Sequence, residues 1–257
     1  MNSLTRAVKY LLIVNIAVFL AGLAPGWEGR ILRTGGLWFP GDDNFQAWQV
    51  VTYMFLHGSF NHILFNMVAL VSFGTVLERE WGENRFLLFY FLCGIGAGLV
   101  QLGVNWYEAG DLHAKLVALG MAPADIAQLM RTGRGNIPDD AAAEKMLQSL
   151  YQIHHGSTVG ASGAIYGLLV AFACLHPNAK LALIFVPVPI AAKFFIPVLL
   201  ALDLFSGVTG FSLFGAGVAH FAHIGGALIG FVLMLLWRRR RATPPPLAVY
   251  EDLRPET

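Results

Sequence analysis

The chain has 257 residues, of which 56% are hydrophobic and 13% charged, with net charge +1 and mean hydropathy +0.60. Soluble domains carry roughly 25% charged residues, so this composition excludes an ordinary soluble fold and points to a polytopic membrane protein. The near-neutral balance gives no sign of a nucleic-acid partner. The one strong basic run, RRRR at 238–241, directly follows an apolar helix and reads as a membrane-surface anchor.

A bilayer core of about 30 Å asks for roughly 20 apolar residues per helix. The N-terminal stretch places Arg6 and Lys9 ahead of an apolar run and then small residues, as a signal peptide does. The many apolar segments behind it favour an uncleaved first span over 8–25. Further spans are predicted at 61–79, 86–104, 161–177, 193–209 and 217–237. Pro187 and Pro189 discourage regular helix, so 179–192 reads as a re-entrant or interfacial approach to the fifth span. Cys93 and Cys174 sit in separate apolar stretches and read as small hydrophobes, without metal or disulfide spacing.

Six spans put both termini on one side. The N-terminal flank, the 78–85 turn, the 176–193 connection and the C-terminal tail hold eleven of the seventeen Lys and Arg. The other six are spread over two long loops, 26–60 and 105–160. Short basic connections mark the cytoplasmic side, so both termini are expected there and the long loops outside. Within 105–160, PADIAQLMRTG has proline in a first turn and Gly133 as a stop. PDDAAAEKMLQSLYQI places Pro138, Asp139 and Asp140 at a helix start. Apolar content there is low for a separate domain. The expected organisation is an all-α six-helix membrane domain over 1–240, a helical outer-loop insertion at about 105–160, and a disordered or extended tail over 241–257.

Polar groups inside a membrane are expensive and face the bundle or a cavity. Ser162 falls near the start of the fourth span, His220 and His223 near the start of the sixth, and His62 and Asn66 near the start of the second. All three spans begin on the outer side, so these groups share one layer. His62 and Asn66 are i and i+4 and share a face. A serine within reach of a histidine has a base to activate it. First-turn backbone N–H groups at Ser162 lack intrahelical acceptors and can meet an oxyanion. Gly163, Gly167 and Ala171 form one stripe of small residues, and Gly226 and Gly230 another, so two helices can approach closely. His57, His154 and His155 lie beside the outer loops and read as solvated. From the residues alone three classes stay open: a serine-type intramembrane hydrolase, a channel or transporter, and a nonenzymatic membrane binding protein.

The motifs narrow these. HGSFNHILFNM at 57–67, GASGAIYG at 160–167 and AHIGGALIG at 222–230 resemble, in order, the three signature motifs of the rhomboid intramembrane serine proteases of the bacterial six-helix type. PVPIAAKFF at 187–195 and LFSGV at 204–208 are similar to that family's approach to, and exit from, its fifth helix. The resemblance implies a six-helix rhomboid-like bundle with Ser162 as nucleophile and His223 as general base, His220 being the competing candidate. It implies that His62, Asn66 and the Ser162 backbone N–H hold the oxyanion. Tyr166 would pack on the catalytic imidazole, and Gly163, Gly167, Gly226 and Gly230 would support the site. No organic cofactor or metal is implied: HExxH is missing, and so is a glutamate to act as base beside the histidine pairs. The implied partners are the lipid bilayer and single-span membrane proteins cut near their outer boundary. The implied location is the bacterial inner membrane, with the 211–217 loop as a cap and the fifth helix as a gate.

The family works with a Ser–His dyad, and the reading expects no buried aspartate in a third position, Asp203 included. Trp48–Gln49 stands where the family often has Trp-Arg, which puts the stability of the first outer loop in doubt. The remaining alternatives are a catalytically silent rhomboid-like client-binding protein and a transporter, although no repeated halves with broken helices are seen.

Overall fold

The computed structural model describes residues 4–135, 137–183, 186–211 and 218–241. The 212–217 part of the expected cap and the tail beyond residue 241 lie outside the described residues. The fold is an all-α bundle with two short β-ribbons. Among the described residues four helices are long and apolar enough to cross a membrane: Phe60–Trp81, Glu83–Ala118, Ala192–Thr209 and His220–Trp237.

Helix α1 (Arg6–Gly22) starts beside Glu78, whose carboxylate accepts from the amides of Ala7 and Val8 at 2.9 Å each. A buried anion on these free first-turn N–H groups complements the positive end of the helix. A short helix α2 (Glu28–Gly35) and strand β1 (Leu37–Trp38) follow. Gln49 then opens α3 (Gln49–Thr52) and is fully buried. Its Oε1 accepts from Gln46 N at 3.0 Å, and its Nε2 donates to Asn44 O at 2.8 Å and Arg33 O at 3.1 Å. Buried backbone groups need partners, and here one amide side chain supplies three. Gln49 thus bonds the first loop at the position where the resemblance expects arginine.

The second long helix runs as α4 (Phe60–Ala69), a π turn (Leu70–Gly74) and α5 (Thr75–Trp81). Ser59 caps it, its hydroxyl accepting from His62 N at 3.2 Å. Helix α6 (Glu83–Ala118) has 36 residues, not the expected stretch ending near 104. At 1.5 Å per residue it is about 54 Å long, so it projects well beyond a bilayer core. Its polar end stays helical partly through i,i+4 pairs: Gln101 bonds Asn105 at 2.7 Å and Lys115 bonds Asp111 at 2.6 Å.

Helices α7 (Pro123–Thr132) and α8 (Ala141–His155) form where the turn residues place them. Gly133 closes α7 at φ 64°, and Asp140 caps α8 by accepting from Ala142 N at 2.7 Å. The region shares its core with the first loop and the end of α6 and does not form one alone. Leu116, Ile126, Leu129, Leu147 and Leu150 make a second core with Phe39 from the first loop. Strand β2 (Ser157–Thr158) pairs antiparallel with β1. Thus the hairpin, the end of α6 and the first loop are tied into one unit at one end of the bundle.

Helix α9 (Ser162–Leu175) is the centre of the bundle, held between α6 and the last helix, α11 (His220–Arg241). It has 14 residues, about 21 Å, and is apolar all round, as a helix with no lipid-facing side should be. The 179–192 approach to the fifth helix holds an antiparallel ribbon of β3 (Lys180–Leu183) and β4 (Val186–Ala191). A two-stranded ribbon tolerates prolines because each strand needs only one paired edge. Helix α10 (Ala192–Thr209) then leads up to α11.

The α9–α11 contact is backbone on backbone. A Cβ at Gly226 would overlap the Gly163 carbonyl, and one at Gly230 would sit 2.8 Å from Gly167 Cα. On the other side of α9, a Cβ at Gly163 would lie 2.5 Å from Ala97 Cβ on α6. Small residues are required on both helices for this approach. Gly226→Ala is expected to destabilise the protein by about 2–3 kcal/mol, because the neighbour that must move is backbone. Gln49→Ala, which orphans buried backbone groups, is expected to cost a similar ~2–3 kcal/mol. Thermal unfolding in detergent checks both, and an unchanged midpoint in either variant contradicts its assignment.

Candidate active site

The site forms at the hairpin end of the bundle, where α4, α9 and α11 start and α10 ends. Ser162 is the first residue of α9 and His223 lies one turn into α11. His223 Nε2 stands 2.8 Å from Ser162 Oγ, a good hydrogen-bond distance. The glycine contacts described above set this separation, because they fix how near α11 comes to α9. Tyr166, one turn after Ser162, stacks on the His223 ring, with centroids 4.2 Å apart and planes 10° from parallel.

His62 approaches from α4. A Cβ at Gly160 would lie 2.7 Å from His62 Nε2 and 3.5 Å from Ser162 Oγ, so His62 and the serine face the same glycine. Gly160 has φ +127°, a conformation that L side chains rarely adopt, and its amide donates to Tyr53 O at 2.9 Å. Gly160 had no assigned role in the sequence; a glycine two residues before the candidate nucleophile was the available signal. Asn66 is buried, 6% exposed, and its Nδ2 has no hydrogen-bond partner among the described residues. An unpaired buried donor is open to an acceptor that arrives with a reactant.

His220 does not take the place of His223 at Ser162. Its Nδ1 bonds Asp203 Oδ1 at 2.6 Å. Asp203, on α10, is fully buried, contrary to the expectation that no buried aspartate stands here. His223 Nδ1 also reaches its Oδ1, at 3.1 Å, and the Tyr166 hydroxyl donates to its Oδ2. A carboxylate is tolerated in such a place because donors surround it. Asp203, His220 and His223 offer ligand atoms within 4.8 Å of one another, the one group among the described residues that could hold a metal ion. In this arrangement the three donors are already engaged with one another.

The outer histidines are half-buried and packed or bonded to the protein, more engaged than a solvated reading expects. His155 Nδ1 bonds Asp42 at 2.8 Å and its Nε2 bonds Met130 O at 2.6 Å, which locks α8 to the first loop and to α7. His154 packs edge-on against Phe39. His57 packs edge-on against His62, centroids 4.9 Å apart, with both ring nitrogens buried and lacking partners among the described residues. Burial first, and then the neighbouring His62, push His57 down to about 3. The unfolded chain takes up this proton near pH 6.5. The neutral folded form is therefore unopposed above about 6.5, and stability is lost as pH falls from there toward 3. His57→Leu is expected to flatten the fall in melting temperature between pH 7 and 4; parallel curves for variant and wild type contradict this.

A recess of about 520 Å³ lies just above the site, lined among others by Gln101, Asn105, Glu108, Ser157, Thr158 and Ala219. Gln101 Oε1 accepts from Ala222 N at 3.1 Å, so one wall also braces the start of α11. The recess has a mixed polar and apolar lining and borders both the loop before Ser162 and the segment before His220.

Comparison with known proteins agrees with this picture. A family model described as Rhomboid domain matches residues 44–130 and 141–240. The chain is 28% identical over 237 residues to Rhomboid-like protein 11, chloroplastic, of Arabidopsis thaliana, covering 90% of this chain and 65% of that protein. It is 24% identical over 245 residues to Rhomboid protease AarA of Providencia stuartii, covering 88% and 70%. A shorter match, 35% over 75 residues, relates it to Rhomboid-like protease 3 of Toxoplasma gondii, covering 29% of this chain and 28% of that protein. The chain thus spans less than two thirds of the length of the Arabidopsis and Toxoplasma relatives.

Proposed function

The chain belongs to the rhomboid family, a group generally known as intramembrane serine proteases, and we propose that it is an active one, hydrolysing peptide bonds of single-span membrane proteins. The observation that carries this reading is the 2.8 Å contact between His223 Nε2 and Ser162 Oγ under the stacked Tyr166 ring. A silent relative has no need of a serine held against a histidine in an apolar bundle.

The chemistry follows from the placement. Ser162 Oγ attacks the scissile carbonyl while His223 Nε2 takes its proton. The oxyanion develops where His62 and the unpaired Asn66 amide can donate, with the free Ser162 amide at the start of α9 beside it. His223 gives its proton to the leaving amine, and the C–N bond breaks. Water then enters from the recess, loses a proton to His223 and releases the acyl group from Ser162. A substrate helix must unwind locally first, because its carbonyls are held in i→i−4 bonds. Gly163, Gly167, Gly226 and Gly230 support the site by keeping the two helices in contact.

In the proposed membrane arrangement six helices cross or enter the bilayer, the four long ones with α1 and α9. Residues 1–240 form the membrane domain and 241–257 a cytoplasmic tail. The α7–α8 hairpin and the site face outward and both termini face the cytoplasm, as in a bacterial inner-membrane protein with short basic connections inside. Substrates enter sideways from the lipid past α10.

Purified protein in detergent should cleave members of a panel of single-span substrates. Ser162→Ala and His223→Ala should each lower the rate by at least about 10³-fold. Undiminished cleavage by Ser162→Ala sinks the mechanism. Binding of panel members without any cleavage by the wild type would favour the client-binding alternative.

A further inference from the structure

Asp203 has no part in a two-residue mechanism, yet it is the most buried charged group near the reacting atoms. Its side chain has 0% exposure, and those of His220 and His223 have 8% and 12%. An isolated buried carboxylate is strongly disfavoured, so its neighbours must be read as a set. Three donors converge on it from two helices. His220 and His223, at i and i+3 on α11, place their Nδ1 atoms 2.6 and 3.1 Å from Oδ1, and Tyr166 on α9 donates to Oδ2. The shorter His220 bond holds the carboxylate in place, and the other one reaches the base.

The consequence concerns the tautomer of His223. A base acting on Ser162 needs Nε2 unprotonated, so the proton of the neutral ring must sit on Nδ1. That proton needs an acceptor, and among the described residues Asp203 Oδ1 is the one within hydrogen-bond distance of Nδ1. Tyr166 fixes the same assembly twice, its ring stacked on the imidazole and its hydroxyl on the carboxylate. We infer that Asp203 is the positioning residue of the Ser162–His223 pair: it accepts from His223 Nδ1–H and so turns an unprotonated Nε2 toward Ser162. This deepens the proposed protease reading and rests on it. When Ser162 attacks, its proton moves to Nε2 and the new imidazolium stands beside the Asp203 carboxylate. The carboxylate stays ionised throughout, and the proton passes on to the leaving amine.

The test compares full-length wild type, Asp203→Asn and Asp203→Glu in detergent, with Ser162→Ala as the blank. Steady-state cleavage should show kcat reduced about 10²–10⁴-fold in Asp203→Asn, with KM within about threefold. Asp203→Glu, which keeps the charge, should recover part of that loss. A kcat for Asp203→Asn within about threefold of wild type overturns the inference. A wild type that cleaves no better than Ser162→Ala means that the protease reading itself fails. A second measurement does not depend on the variants folding. Nitrogen-15 spectra of histidine-labelled wild type should show His223 as the Nδ1–H tautomer at neutral pH, whereas an Nε2–H tautomer overturns the assignment.

Discussion

Everything at this site depends on how closely two helix backbones can touch. Gly163 and Gly167 on α9 meet Gly226 and Gly230 on α11 with no room for a methyl group between them. In lipid there is little hydrophobic drive to bring helices together, so contact must come from packing at short range. Glycine allows it, and the carbonyls of one helix then lie against the α-carbons of the other. Ser162 and His223 are carried on these same two helices, a turn or less from the contact. A wider spacing would leave the hydroxyl and the imidazole out of reach of each other.

Around that contact the fold separates an apolar body from a polar end. The body is a core of Leu, Ile, Phe and Ala with α9 at its centre. The polar end collects His62, Asn66, Asp203, His220 and His223; Asp203 bonds both α11 histidines, and His223 reaches Ser162 at the α9 start. Grouping them lowers the penalty of each, since a buried polar atom needs only one well-placed neighbour. It also leaves an amide of Asn66 unpaired, as a site meant to receive an acceptor would. The α7–α8 hairpin stands over this end, and α8 supplies a wall of the recess.

Much of this was legible in the chain. Apolar run length located the four long apolar helices, and the turn residues Gly133 and Asp140 located the turn of the hairpin. The glycine spacing at 163, 167, 226 and 230 foretold the close helix pair, and the order of the three motifs foretold the family. The rest needed three dimensions. Residues 105–118 read as loop because they are polar, but they continue a helix that is already nucleated and is laced by i,i+4 pairs. Glu78 looks like a surface charge until it is seen capping a helix 70 residues away. Asp203 looks like one stray acid on an apolar helix; only folding brings it beneath residues 17 and 20 positions further on. Gln49, a departure from the familiar pattern, is seen only in the fold to bond several backbone groups of the first loop.

The central claim is that Ser162 is an activated nucleophile and not just a small residue in a close-packed stripe. A fluorophosphonate probe followed by peptide mapping of the intact protein tests it most directly. The account predicts a single adduct, on Ser162, whose formation is lost in His223→Ala. An unmodified Ser162 in folded wild-type protein, or an adduct that forms equally well without His223, would contradict it.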